Sequence, residues 1–146
     1  MSLDEDLATT ADVTGVFVAA ARRRAELGAD LRAVGAGAFA TRPSILRRAA
    51  AVLAQDLPTA TDRLVTTGDT DAVALTTALA LHTGLPFAVV AGQNRPDLQR
   101  GDRVAVITPV ADDTAAALAD RVRAGGAEPL GPFSVLDADG TPAFTA

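Results

Sequence analysis

The stretch Arg103-Val104-Ala105-Val106-Ile107-Thr108 sets four apolar residues between an arginine and a threonine, after Gly101-Asp102 and before Pro109. It is too short for an ordinary helix and rich in β-branched side chains, which predicts a strand. Apolar residues occupy both phases of its alternation, so the strand should be covered on both faces. Downstream, Asp112 to Ala124 carries Leu118 and Val122 at helical spacing, and Leu130 to Leu136 reads as another strand. Upstream, Arg63 to Thr67 is predicted as a strand, Asp71 to His82 as a helix and Pro86 to Val90 as a strand. Strand–helix–strand alternation with short connections implies parallel pairing, because each crossover helix returns the chain to the same end of the sheet. The expected fold class is α/β: a doubly wound, mainly parallel sheet with helices on both faces. Ligands of such sheets lie beyond the carboxyl ends of the strands. That directs attention to Thr67–Ala72, Ala91–Arg100, Thr108–Thr114 and Asp137–Gly140.

Further toward the N-terminus the signals weaken. Residues 1–11 read as a flexible or partly helical leader, and 12–146 as a single domain. A helix is predicted from Thr14 to Leu27 with Gly28 as its stop and Arg22-Arg23-Arg24 as a solvated face. Leu31 to Phe39, short and glycine-containing, reads as a strand or hairpin. Pro43 stands where proline favours a helix start, followed by Ser44-Ile45-Leu46 and Ala49 to Leu53.

Composition narrows the chemistry. The 146 residues include no Cys and one His, and all 13 basic residues are Arg. Without Lys there is no Schiff-base lysine, P-loop lysine or lysine general base. Without Cys there is no disulfide, thiolate nucleophile or zinc–sulfur site. A net charge of −5 argues against a nucleic-acid partner, which would call for a basic footprint. No apolar run approaches the ~18 residues of a membrane span. The acidic start, Leu3-Asp4-Glu5-Asp6, lacks the order of a signal peptide, and the expected location is cytoplasmic.

Several of these segments, in this order, resemble a type I phosphoribosyltransferase, orotate phosphoribosyltransferase in particular. Gln99-Arg100-Gly101-Asp102-Arg103-Val104-Ala105-Val106-Ile107 is similar to the entry to the family's signature strand. Leu118 through Arg123-Ala124-Gly125-Gly126-Ala127-Glu128-Pro129-Leu130-Gly131 is similar to the helix and turn after it, and Val135-Leu136-Asp137 to the last core strand. Gly68 to Leu75 and Thr83-Gly84-Leu85-Pro86 occupy the place of the pyrophosphate loop, its helix and the next strand. With weaker similarity back to Arg42-Pro43-Ser44-Ile45-Leu46, the resemblance covers residues 30–140. It implies a phosphoribosyltransferase-like fold, a homodimer, and ligand positions in the pyrophosphate loop (Gly68, Asp69, Thr70, Asp71) and in the ribose-phosphate loop (Thr108, Pro109, Asp112, Asp113, Thr114, Ala115, Ala116).

The chemistry at those positions departs from the family. Its signature strand ends in two acidic residues that hold ribose hydroxyls; here Thr108 and Pro109 stand there. Its phosphate loop is small and rich in Thr and Gly, whereas this chain has Asp112-Asp113-Thr114-Ala115-Ala116. An Asp at a helix start accepts a backbone N–H and complements the dipole, which also opposes a phosphate on the same amides. Asp71 is expected to cap the helix that follows it, whereas Asp69 has no evident structural use. An acidic cluster of this kind suits Mg²⁺, the cofactor implied if the chain is catalytically active. The family's mobile loop carries Lys and Arg to the leaving group; the connection here is ten residues, 91–100, with Arg95 as the surviving anion contact. Ala138 follows Asp137 where the family commonly places an orotate-binding Arg.

Other residues have simpler readings. His82 is expected to favour a helix C-terminus. Thr66-Thr67 and Thr76-Thr77 offer hydroxyls, and Gln93 and Asn94 sit at the expected mouth. Leu75/Leu79 and Leu118/Val122 should be core. No metal ligands and no catalytic residue are identified. Transferase chemistry needs cations where charge builds on pyrophosphate, and here Lys is absent and Asp added. The expectation is a divergent protein without conventional transferase activity, binding a small molecule or acting as a regulator. The alternative is an active phosphoribosyltransferase of nucleotide metabolism. It would transfer ribose 5-phosphate from phosphoribosyl pyrophosphate to a nitrogenous base with Mg²⁺.

Overall fold

The computed structural model describes residues 3–34, 39–92 and 98–143, with side chains from residue 19 onward. Helix α1 (Leu3–Val34) leads into a single 3₁₀ turn at Phe39–Thr41 and helix α2 (Pro43–Asp56). Strand β1 (Arg63–Thr67), helix α3 (Thr70–Thr83) and strand β2 (Phe87–Val90) follow. After them come strands β3 (Arg103–Ile107) and β4 (Val110–Ala111), helix α4 (Asp113–Ala124), and strands β5 (Glu128–Phe133) and β6 (Leu136–Asp137).

Four strands form one sheet in the order β2-β1-β3-β5, every pair parallel. From β1 the chain crosses through α3 to β2 on one side; from β3 it crosses through α4 to β5 on the other. Right-handed crossovers running in opposite directions put their helices on opposite faces, and the core divides accordingly. Leu64, Ala105 and Ile107 pack with Leu27, Leu31, Val52, Leu53, Leu75 and Leu79 from α1, α2 and α3. Val65, Val104 and Val106, one residue out of phase, pack with Leu118 and Val122 of α4. The apolar faces expected of α3 and α4 are therefore core, and the doubly wound α/β architecture is observed.

Helix ends follow local chemistry in two places. Pro43 occupies the first turn of α2. Asp112 sits at the N-cap of α4 and its carboxylate accepts the Thr114 N–H at 3.0 Å.

Elsewhere the structure corrects the sequence reading. Helix α1 is continuous through Gly28 and runs to Val34, so neither the predicted start at Thr14 nor the stop at Gly28 holds. Leu31 is helical, which removes the expected strand or hairpin over 31–34, while 35–38 lie outside the described residues. A glycine inside a helix costs about 1 kcal/mol relative to Ala. Leu27 and Leu31, one turn apart on either side of it, are both fully buried and more than offset that cost. The segment 130–136 is two strands rather than one. Pro132 lacks a donor, and beyond Phe133 the amides of Val135 and Leu136 turn to the Pro109 carbonyl at 3.2 and 3.0 Å. That turn aligns β6 with β4 in a separate two-stranded parallel ladder, Val110 opposite Leu136 and Ala111 opposite Asp137.

Candidate functional site

The winding of the sheet reverses between β1 and β3, the position at which open α/β sheets form a crevice. The loops leaving those strands enclose a cavity of about 220 Å³ there, lined by Thr67, Asp69 and Asp71 from one side and Thr108, Pro109, Val110, Asp112 and Thr114 from the other. The two segments expected to bind ligand thus meet in space.

On the β1 side, Asp69 rather than Asp71 holds the N-cap position of α3, and its carboxylate makes no capping bond to the helix. Its Oδ2 instead accepts the Thr67 hydroxyl at 3.1 Å, while its carbonyl accepts the Val73 N–H at 2.9 Å. Asp71 lies in the first turn, so the cap assigned to Asp71 is corrected to a dipole interaction. Gly68 and Thr70 complete this loop without lining the cavity.

On the β3 side, Thr108 is 2% exposed; its hydroxyl pairs with that of Ser134 at 2.9 Å, and its amide donates to the Phe133 carbonyl at 3.2 Å. Sequence reasoning missed Ser134, which carries no local signature and meets Thr108 only through the β3–β5 pairing. Pro109 presents its carbonyl to the start of β6, which fixes the loop. Asp112 faces the crevice while capping α4. Asp113, Ala115 and Ala116 do not line it; Ala115 and Ala116 border a separate groove between α4 and Gly131-Pro132 of β5.

The other threonine hydroxyls expected to offer donors do not line the crevice. Thr66 donates to the Ile107 carbonyl at 2.7 Å within the sheet, and Thr77 to the Val73 carbonyl at 2.7 Å. Thr76 is fully buried in α3, away from the cavity. His82 is in the last turn of α3, as expected. Arg95, Gln93 and Asn94 lie outside the described residues.

Three carboxylates and three threonines therefore line the crevice, and among the described residues no arginine does. Two described arginines serve other contacts: Arg121 donates to the Gly92 carbonyl at 2.7 Å, and Arg63 pairs with Asp102 at 3.3 Å at the opposite end of the sheet. Among the described residues no group of three His, Cys, Asp or Glu side chains lies close enough together to hold a metal ion. Nor is any helix there long and apolar enough to cross a membrane.

No protein-family model matches the chain, and no curated protein matches its sequence. Solved structures do match its fold. Orotate phosphoribosyltransferase of Mycobacterium tuberculosis, in complex with 5-phospho-α-D-ribosyl 1-diphosphate, superposes with a TM-score of 0.68 at 18% identity, over 80% of this chain and 76% of that one. Adenine phosphoribosyltransferase of Rhodothermus marinus gives a TM-score of 0.59 at 20% identity, over 73% of this chain and 78% of its own. Leishmania donovani UMP synthase gives 0.60 at 21% identity over 68% of this chain, which spans 24% of that protein's length. At such identities the shared property is architecture, and the architecture is that of the type I phosphoribosyltransferases.

Proposed function

We propose that this chain is a divergent phosphoribosyltransferase-fold protein that lacks conventional transferase activity. In this reading it acts as a small-molecule-binding or regulatory protein, with the crevice between β1 and β3 as its ligand site. The observation that carries the reading is the side-chain chemistry of that crevice: Asp69, Asp71 and Asp112 line it and no described cation does. Two like charges about 4 Å apart repel by about 1 kcal/mol in water-like surroundings and about 4 kcal/mol at a partly shielded surface. A pyrophosphate or ribose 5-phosphate would meet that repulsion from three carboxylates. It would also find the Thr114 amide already bonded to Asp112. Carboxylate and hydroxyl oxygens instead accept hydrogen bonds, so the crevice suits a compact ligand rich in hydroxyl or amino donors rather than an oxyanion.

Calorimetric titration of phosphoribosyl pyrophosphate with Mg²⁺, followed by an orotate turnover assay, tests this. Absence of saturable binding up to the millimolar range, together with absence of turnover, is the expected result. Micromolar binding or measurable turnover would overturn the reading in favour of an active transferase.

A further inference from the structure

The two edges of the main sheet differ in how open they are to a further strand. The β5 edge carries Pro129 and Pro132, which have no N–H to offer, and a break in register after Leu130; such features close an edge strand to pairing. At the opposite edge β2 has none of them. Phe87-Ala88-Val89-Val90 is apolar throughout, and no charged residue occurs from Thr83 to Gly92. The Pro86 carbonyl accepts the Leu64 N–H at 3.0 Å. Backbone groups along a strand alternate in direction, so those of Ala88 and Val90 also turn to β1, and the N–H and C=O of Phe87 and Val89 point outward. Among the described residues nothing bonds those outward groups. Side chains alternate as well: Phe87 packs with the core on the α3 side and Ala88 with the core on the α4 side. Val89 therefore lies on the α3 side, where it is 39% exposed. Leu81 of α3, 84% exposed, lines a groove of about 440 Å³ together with Phe87. Leu81 and Val89 are the exposed large hydrophobic residues among those described.

We infer that β2 pairs antiparallel with β2 of a second copy of this chain, joining the two sheets across a two-fold axis. With the axis between the two Ala88 residues, Phe87 of each copy lies opposite Val89 of the other, and the outward N–H and C=O groups of these residues bond one another. Any strand could satisfy those backbone groups; the side chains select this one. Phe87 opposite Val89 is an aromatic–β-branched cross-strand pair, a favourable combination, and the symmetry makes it twice. On the other face Ala88 meets Ala88, small enough for the close approach of a non-hydrogen-bonded pair. An axis normal to the sheet keeps each face on its own side, so α3 comes beside α3 and Leu81 of each copy turns toward a shared apolar seam. Because Thr83 to Gly92 holds no charge, two chains of net charge −5 meet there without opposing carboxylates. The closed β5 edge ends the assembly at a pair.

The chain has no Cys, so a single introduced thiol reports the pairing and its register. In Ala88→Cys the two substituted positions face each other across the axis with Cα atoms about 4.5 Å apart, within disulfide reach. Mild oxidation is expected to give a covalent dimer. In Val89→Cys the equivalent positions are diagonal, about 7–8 Å apart, and little covalent dimer should form. Sedimentation equilibrium of the full chain from about 1 to 100 μM should show a monomer–dimer equilibrium. Val89→Glu sets a carboxylate against Phe87 of the other copy and adds charge to two chains already negative, so it should weaken association by about tenfold or more. Val89 is exposed in the single chain, so the circular dichroism of the variant should match that of the wild type. A monomer across the whole range would overturn the proposal and leave the β2 edge to a strand of another protein. So would a dimer that Val89→Glu does not weaken, or a covalent dimer from Val89→Cys and none from Ala88→Cys.

Discussion

The carboxylate of Asp112 accepts the backbone N–H of Thr114 at 3.0 Å while also lining the crevice between β1 and β3. One side chain therefore stabilises a helix start and places negative charge where a phosphate would need a donor. The two roles separate by substitution, because Ser caps a helix about as well as Asp but carries no charge. Asp112→Ser should leave the melting temperature nearly unchanged, and Asp112→Ala should cost about 1 kcal/mol. Removing a like charge worth about 1 kcal/mol or more should raise affinity for inorganic phosphate roughly fivefold in Asp112→Ser, followed through the Thr114 amide by NMR. Asp113 does not line the crevice, so adding Asp113→Gly should bring little further gain. An unchanged phosphate response in Asp112→Ser would remove carboxylate blockade as the explanation.

At the edge of the sheet, Ala105 pairs with Leu130 and Ile107 with Phe133. One residue of β3, Val106, thus lies opposite two of β5, Gly131 and Pro132. This bulge depends on glycine. Gly131 has φ +93°, and a Cβ there would meet the Phe133 ring at 2.7 and 2.8 Å and the Phe133 backbone nitrogen at 2.9 Å. Backbone cannot move aside as a flexible side chain can. Gly131→Ala is expected to destabilise the fold by about 1–3 kcal/mol, measured by urea denaturation. Gly125→Ala, with φ −83° and its nearest contact at 3.5 Å, serves as the tolerated control.

The parts of the fold legible in the sequence were those in which local pattern and tertiary environment agree. Val104 to Ile107 is apolar on both phases because both faces are covered, and Leu118 with Val122 marks the buried side of α4. Pro43 and Asp112 act where they stand, through a fixed φ and a side-chain acceptor, and needed no distant partner to be read. Gly28 misled because its local cost is outweighed by Leu27 and Leu31, whose burial arises from packing that a local pattern does not encode. The N-cap was expected at Asp71 and is found at Asp69, because the chain enters α3 at Thr70, two residues before the start that a cap at Asp71 implies. The crevice was legible as two loops at strand ends; the Thr108–Ser134 hydroxyl pair, 26 residues apart, was not.

A pH-dependent contribution is expected at the turn after β6. Asp139 is held below the usual carboxylate range, first by the Thr141 hydroxyl and then by the Thr141 amide, both donating to its carboxylate. A carboxyl that ionises more readily in the folded chain than in the unfolded one adds stability above its unfolded-state pKa, and loses it as pH falls through the lower folded-state value. In a carboxyl-detected NMR titration, Asp139 should therefore titrate below an unstructured Asp. Thr141→Ala should move the midpoint upward only part of the way, since the backbone donor remains. A midpoint already at the unstructured value in the wild type would exclude the turn as its cause.

Thr76 provides a test in the opposite direction, toward greater stability. It is fully buried, and among the described residues its hydroxyl has no hydrogen-bond partner, whereas Thr77 and Thr83 in the same helix bond the carbonyls of Val73 and Leu79 at 2.7 and 2.8 Å. A buried hydroxyl left without a partner costs about 1–3 kcal/mol. Valine has the same branched shape with a methyl in place of the hydroxyl, and helical Val and Thr differ little in intrinsic propensity. Thr76→Val should therefore stabilise the fold by about 1 kcal/mol, read as a higher urea midpoint with an unchanged slope. Thr77→Val, which removes a bonded hydroxyl, should bring no such gain. Destabilisation by Thr76→Val would mean that the Thr76 hydroxyl is bonded in the folded protein after all.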